Sequence, residues 1–167
     1  MTEKVIDVVF DCNVFLQAAA NPDGPAGTCK KLVDKGALKL FISPEILAEV
    51  EGILRRPKVR ERFATLTEEL ITAFLEDILS VAVMVEDVPQ RFTFTRDPKD
   101  APYLNLAIAA SAAYLVSRDS DLLDLMIGHT QECKEFRQRF RPLKVVDPVT
   151  FLRELSEKSD DPEQPAS

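Results

Sequence analysis

Short apolar segments rich in β-branched residues alternate with segments of helical periodicity along most of this chain. Residues 5–10 form the first apolar segment and are predicted to be a buried strand, whereas residues 67–80 carry the clearest helical stripe. Strands that alternate with helices favour parallel pairing, because a parallel strand is reached through a crossover connection. The sequence therefore predicts an α/β fold, a three-layer α/β/α sandwich around a mostly parallel central sheet.

The remaining elements follow from the same alternation. Further strands are predicted at residues 38–42, 81–85, 114–117 and 143–146, and further helices at residues 14–20, 26–35, from 44 onward, 102–113 and 148–155. Ser43-Pro44-Glu45 supplies a serine cap, a proline at the first helical position and an acid near the positive end of the third helix. One domain is predicted over residues 4–155, followed by a polar, acidic tail over residues 156–167 that we expect to be disordered.

Length and charge exclude several classes of protein. No apolar run in the 167 residues approaches the ~18 residues of a membrane span, and the amino terminus does not resemble a signal peptide, so we expect a cytoplasmic protein with no membrane partner. The net charge of −7 argues against a protein that wraps duplex DNA with a general basic surface.

Cysteine and histidine chemistry is not expected. Cys12, Cys29 and Cys133 are odd in number and widely spaced, which fits neither a disulfide framework nor a zinc site. We interpret them as reduced, mostly buried side chains. His129 stands alone beside a glycine in a predicted loop, and no partner for a histidine-based nucleophile is found.

Acidic residues follow the predicted strands where a parallel sheet binds its ligands. Asp11 comes directly after the first strand and Asp119 directly after the strand at residues 114–117. Glu49 lies on the helix after the second strand, and Asp100 stands at the start of an alanine-rich helix. Carboxylates brought together in this way repel one another, and a hard cation such as Mg²⁺ or Mn²⁺ would relieve the repulsion.

Each of these acids also has a structural interpretation. Asp11 could form a turn or cap a helix, Asp100 could cap the alanine-rich helix and Asp121 the next one. Asp97-Pro98 is an ordinary start of a turn. Glu49 and Glu51 flank the apolar stripe of their helix symmetrically, so periodicity alone does not choose between them.

Four motifs in order along the chain resemble those of the PIN-domain family, in particular the ribonuclease toxins of bacterial toxin–antitoxin pairs. They are Asp11-Cys12-Asn13-Val14 after a strand, Ser43-Pro44 followed by Glu49 and Arg56-Pro57-Lys58, Asp97-Pro98-Lys99-Asp100 before the alanine-rich helix, and Ser117-Arg118-Asp119-Ser120-Asp121. The segment from Val146-Asp147-Pro148 to Leu152 resembles the closing strand and helix of the same subfamily.

The resemblance implies a nuclease that uses one or two Mg²⁺ or Mn²⁺ ions to cleave RNA. It assigns the metal to Asp11, Glu49, Asp100 and Asp119. Asn13 and Ser117 would orient Asp11, and Asp121 and Asn105 would lie around the metal ligands. Many members carry an acid where this chain has Asn105, so the third ligand stays open between Asp100 and Asn105.

The resemblance also implies partners. These are an RNA substrate, a cognate antitoxin protein and a second copy of the chain in a homodimer. Arg55, Arg56 and Lys58 follow the Glu49 helix and would flank the active cleft, so we expect them to bind the RNA backbone.

Two alternatives stay open from the sequence. A PIN-like scaffold could bind RNA or protein without cutting it. A haloacid-dehalogenase-like phosphatase also places an aspartate after its first strand, but it needs a second aspartate two residues later, where this chain has Asn13.

Overall fold

The structure, a computed structural model, describes residues 4–159. Its five strands are β1 (Ile6–Phe10), β2 (Leu38–Ile42), β3 (Val83–Met84), β4 (Tyr114–Val116) and β5 (Lys144–Val146). They form one sheet in the order β3-β2-β1-β4-β5, and every pairing is parallel. The predicted α/β fold class with its parallel sheet is confirmed.

Nine α-helices surround the sheet in the described part of the chain. They are α1 (Cys12–Ala20), α2 (Pro25–Asp34), α3 (Pro44–Leu54), α4 (Pro57–Arg62), α5 (Glu68–Val81), α6 (Ala101–Ala109), α7 (Ser120–Leu123), α8 (Gln131–Arg139) and α9 (Pro148–Ser159). Short 3₁₀ turns at Pro98–Asp100 and Asp124–Met126 precede α6 and follow α7. No helix within residues 4–159 is long and apolar enough to cross a membrane.

The helices form two layers. Helix α1 packs against α2, α3 and α5, and α2 packs against α9, whereas α6 packs against β1, β2 and β4. Right-handed crossovers explain this division, because the chain moves along the sheet in one direction up to β3 and then returns to the other side of β1. The sheet therefore lies between helices on both faces, as predicted.

Strands β1 and β4 pair next to each other and end in the same register at their carboxyl ends. Val8, Val9, Leu115 and Val116 are fully buried, as expected for strands covered on both faces. Phe10 is in register with Val116, and the Asp11 N–H donates to the Val116 carbonyl oxygen at 3.1 Å. The residues that follow β1 and β4 consequently lie next to each other, at the point where the strand order reverses and such folds bind ligands.

The carboxyl ends of two helices differ most from the predictions, and the strand predicted at residues 81–85 shortens to Val83–Met84. Helix α6 ends at Ala109 rather than 113, because Ser111 adopts a left-handed conformation (φ 52°). The Ala112 N–H then bonds the Ala107 carbonyl oxygen at 2.9 Å, which closes the helix without the usual glycine. Helix α9 continues to Ser159, so the prediction of disorder from residue 156 is wrong for residues 156–159. The rest of the predicted tail, residues 160–167, lies outside the described residues.

Candidate metal centre

Asp11 is fixed by contacts to both carboxylate oxygens. Its side chain is buried, Oδ1 accepts the Val14 N–H at 3.1 Å to cap α1, and Oδ2 accepts the hydroxyl of Ser117. Burial raises its pKa to about 6, although the hydrogen bonds from Ser117 and Val14 act in the opposite direction. Asp11 therefore caps α1, as one interpretation of the sequence predicted, and its carboxylate lies at the carboxyl edge of the sheet.

Ser117 connects Asp11 to Asp119. Its hydroxyl is fully buried, donates to Asp11 and accepts the Asp119 N–H at 2.9 Å. Asp119 caps α7 through Oδ1, which accepts the N–H groups of Asp121 and Leu122 at 2.8 and 3.3 Å. The cap of this helix is thus Asp119 and not Asp121, and only one of the Asp119 oxygens takes part in it.

Three aspartates form a compact cluster. One carboxylate oxygen each from Asp97, Asp100 and Asp119 lies within 4.8 Å of the other two. Burial raises the pKa of Asp100 to about 8, and the negative charges of Asp119 and Asp97 add to this effect. The three carboxylates therefore repel one another at the point where α6 and α7 begin.

Asp100 does not cap its helix. Its side chain makes no cap hydrogen bond to α6, and its Oδ2 is buried without a hydrogen-bond partner. Such an oxygen is costly unless a ligand satisfies it. The donor set consists of carboxylate oxygens, which a hard divalent cation prefers, so the residues present fit Mg²⁺ or Mn²⁺.

Asp97 was interpreted from the sequence only as the start of a turn. It does accept the Lys99 N–H at 3.2 Å in that turn, but its carboxylate also belongs to the cluster. The sequence signal is the three-residue spacing of the two aspartates. A 3₁₀ turn, such as the one at Pro98–Asp100, brings residues three apart onto the same side. The spacing of Asp97 and Asp100 could therefore have identified the pair.

Glu49 lies beside this cluster rather than in it. Its carboxylate accepts the hydroxyl of Tyr103 from α6 and lies close to the Cys12 side chain, next in sequence to Asp11. Glu51 instead pairs with Arg55 at 2.5 Å. Of the two candidates on α3, Glu49 is the one turned toward the site.

A profile of the PIN-domain family matches residues 7–121, which contain all the acids described above. The chain belongs to the PIN-domain family. PIN domains are generally nucleases that use divalent metal ions, and the acidic cluster agrees with that class. The family assignment replaces the alternative of a haloacid-dehalogenase-like phosphatase.

One relative is similar to this chain over more residues than the family profile matches. The uncharacterized protein MJ1680 of Methanocaldococcus jannaschii is 32% identical over 154 residues, which cover 92% of this chain and 94% of the relative. The similarity therefore extends over nearly the whole length of both proteins, beyond the residues that the family profile matches.

In this PIN domain, the structure corrects the prediction for Asn105. Its Oδ1 accepts the N–H groups of Arg91 and Phe92 at 2.7 and 2.9 Å, and its Nδ2 donates to the carbonyl oxygens of Phe92 and Ala101 at 3.0 and 3.1 Å. All four hydrogen-bonding positions of the amide are used by the backbone. Asn105 is therefore a clamp on the segment before Asp97, and it is not free to bind a metal or to orient its ligands.

Two other residues predicted around the metal ligands contribute differently than expected. The side chain of Asn13 is exposed, and only its backbone N–H helps to stabilise the charged form of Asp11. The Asp121 carboxylate pairs with the Arg96 guanidinium at 2.7 Å, while its N–H bonds Asp119. Both residues act on the site mainly through the backbone.

The structure also corrects the prediction for Arg55. Its guanidinium is held between Glu51 and Glu68, at 2.5 and 2.7 Å, because α5 returns past the end of α3. Arg56 and Lys58 are exposed at the start of α4 and form no ion pair within residues 4–159. Of the three side chains predicted to bind RNA, Arg55 is thus held in ion pairs, whereas Arg56 and Lys58 form none in the described part of the chain.

Proposed function

We propose that this PIN domain is an endoribonuclease that depends on Mg²⁺ or Mn²⁺. One observation carries the proposal. Asp97, Asp100 and Asp119 bring carboxylate oxygens within 4.8 Å of one another, and the buried Oδ2 of Asp100 has no partner. A fold that only needed stability would not retain this arrangement, because repulsion and desolvation both oppose it.

Asp97, Asp100 and Asp119 would hold the cation, with Asp11 and Glu49 adding negative charge beside them. A divalent cation bound there would supply Lewis-acid activation of water and would offset the charge that develops on the phosphate. No histidine base is then required, in agreement with the exposed position of His129.

The remaining residues position these carboxylates. Ser117 ties Asp11 to the backbone of Asp119, and α7 fixes one oxygen of Asp119 through its first N–H groups. Arg96 neutralises Asp121 and Asp124, which limits the negative charge that an RNA strand would meet beyond the cluster. These contacts preorganise the site before substrate binds.

The partners belong to the same proposal. RNA as substrate and a cognate antitoxin protein are proposed from the resemblance to ribonuclease toxins. A homodimer through α5 is supported by Leu79, whose side chain is 54% exposed, and by the partly buried Leu70, Phe74 and Leu75 on the same helix. Sedimentation of the purified chain that shows only monomer would remove the homodimer from the proposal.

The test is cleavage of a labelled single-stranded RNA by the full chain with Mg²⁺, with Mn²⁺ and with EDTA. We expect cleavage with either metal and none in EDTA. Asp119→Asn should abolish cleavage, whereas Glu76→Gln, which neutralises an exposed acid in the middle of α5, should leave it unchanged. RNA that is bound but uncut in the presence of either metal would favour the scaffold alternative.

A further inference from the structure

A second feature lies at the same edge of the sheet, on the other side of Asp119. Residues from the ends of β4 and β5, from the end of α1 and from the starts of α2 and α9 line an open-sided cavity of about 450 Å³. It is lined chiefly by Gln17, Asn21, Arg118, Leu123, Pro148 and Val149. This volume lies within the range of about 300–1,000 Å³ that is usual for small-molecule sites.

Arg118 sits between the cavity and the acidic cluster. It directly precedes Asp119, its side chain is exposed, and its guanidinium has no hydrogen bond or ion pair within residues 4–159. The other arginine near the cluster, Arg96, is bound by both Asp121 and Asp124. Unlike Arg96, Arg118 therefore keeps its guanidinium available to an anionic ligand beside the acidic cluster.

The interior of the cavity suits a planar, weakly polar group. Val149 is 57% exposed at its wall, and Leu123 and Pro148 add apolar surface. The side-chain amides of Gln17 and Asn21 have no hydrogen-bond partner in the described part of the chain, and amides of this kind bind the edges of bases.

One acid lines the same cavity. The carboxylate of Asp147 is engaged at the start of α9, where its two oxygens accept the Thr150 N–H at 2.7 Å and the Thr150 hydroxyl at 3.1 Å. Its negative charge disfavours a phosphate deep in the cavity. A phosphate is favoured at Arg118 instead, with the uncharged base inside.

We propose that this cavity binds one unpaired base of a single-stranded RNA, and that Arg118 binds the adjoining phosphate next to the bond that is cut. This inference rests on the proposed nuclease function and specifies its substrate as unpaired RNA. Stacked bases of a duplex cannot enter such a cavity, whereas the bases of single strands can turn outward.

The test measures binding of a short, mixed-sequence single-stranded RNA at several salt concentrations. The protein carries Asp100→Asn so that the probe stays intact. Arg118→Ala should weaken binding about tenfold and reduce the slope of log affinity against log salt by about 0.7. Lys35→Ala removes one positive charge beside the amino end of β2, at the opposite edge of the sheet, and should change neither.

A second series of probes tests the base cavity. Removal of a single base should weaken binding at one position of the strand and much less elsewhere. Val149→Ser should reproduce that loss with an unchanged salt slope, and the probe lacking that base should then lose nothing further. Ile127→Ser, which alters another exposed apolar residue that does not line the cavity, is the matched control.

Failure of this inference is distinguishable from failure of the proposed function. If the otherwise unaltered protein cleaves RNA with Mg²⁺ but Arg118→Ala and Val149→Ser leave the KM unchanged, the inference is wrong and the nuclease stands. If RNA binds as described but is not cut with either metal, the nuclease is wrong and the cavity assignment stands. Equal binding of all probes lacking one base would also overturn the inference.

Discussion

Asp100, just before α6, and Asn105, within it, differ in whether their buried side-chain atoms have hydrogen-bond partners. Asn105 is buried with every hydrogen-bonding position of its amide satisfied by backbone groups. Asp100 has a buried oxygen with no partner and a pKa raised to about 8 by burial and by its acidic neighbours. Helix α6 therefore carries a residue that stabilises the fold, and the turn just before it carries a residue that destabilises it.

The contrast distinguishes structural from functional polar groups by whether their buried atoms have hydrogen-bond partners within the chain. A buried polar group that serves the fold finds all its partners within the chain. A buried polar group without a hydrogen-bond partner lowers stability, and such groups are typical of sites that an external ligand completes. In this PIN domain, Asn105 therefore serves the fold, and we propose Asp100 as a metal ligand.

The largest expected effect is on activity. Asp100→Asn should lower RNA cleavage by orders of magnitude, because it removes a charged ligand from the cluster. The same change should leave the melting temperature in EDTA equal or higher, since it removes the cost of burying an ionisable carboxyl group beside other acids. Parallel cleavage and thermal denaturation assays check both parts, and a destabilised but active variant would reverse the assignment.

The second effect is on stability. Asn105→Ala leaves the part-buried N–H group of Arg91 and the buried N–H group of Phe92 without their acceptor, which should lower the free energy of unfolding by about 2 kcal/mol. Urea denaturation measures this value. The aromatic contact of Phe92 with Phe136 should loosen with it, because Asn105 holds the Phe92 backbone. A loss below about 1 kcal/mol would contradict the clamp.

A smaller effect is the pH dependence of the metal-free protein. The folded-state pKa of Asp100 is raised, so the folded state holds its proton where the unfolded chain has lost it. The stability contributed by that proton is full below about pH 4 and is lost as the pH rises through about 8. In EDTA, the melting temperature should fall between about pH 5 and pH 8, and Asp100→Asn should reduce the fall. An equal fall in both proteins would assign it to other groups.

The smallest effect is expected for the contact that joins α3 to α6. Tyr103→Phe removes the hydroxyl that binds Glu49 and should cost about 1 kcal/mol of stability or less. Cleavage should fall only a few-fold, because Glu49 lies beside the cluster rather than in it. Glu49→Gln keeps the acceptor and provides the comparison. A loss of activity in Tyr103→Phe as large as in Asp100→Asn would place Glu49 among the metal ligands.

Local patterns were sufficient to predict the sheet edge and part of the site. Asp11 and Asp119 were identified because each follows a buried strand, and parallel strands bring those positions together. The role of Asn105 could not be predicted, because its partners lie 13 and 14 residues away in an irregular segment. The pairing of Arg55 with Glu68 was missed for the same reason, since the two residues lie on different helices. The end of α6 at Ala109 was missed because the left-handed residue after it is Ser111, whereas the usual signal is glycine.

The most direct test of the contrast between Asp100 and Asn105 is Mn²⁺ binding, measured by the electron paramagnetic resonance signal of the free ion. We expect the unaltered protein and Asn105→Ala, each kept below its melting temperature, to bind Mn²⁺ with the same affinity. Asp100→Asn should bind it far more weakly. Unchanged Mn²⁺ affinity in Asp100→Asn, or its loss in a folded Asn105→Ala protein, would contradict the metal centre described above.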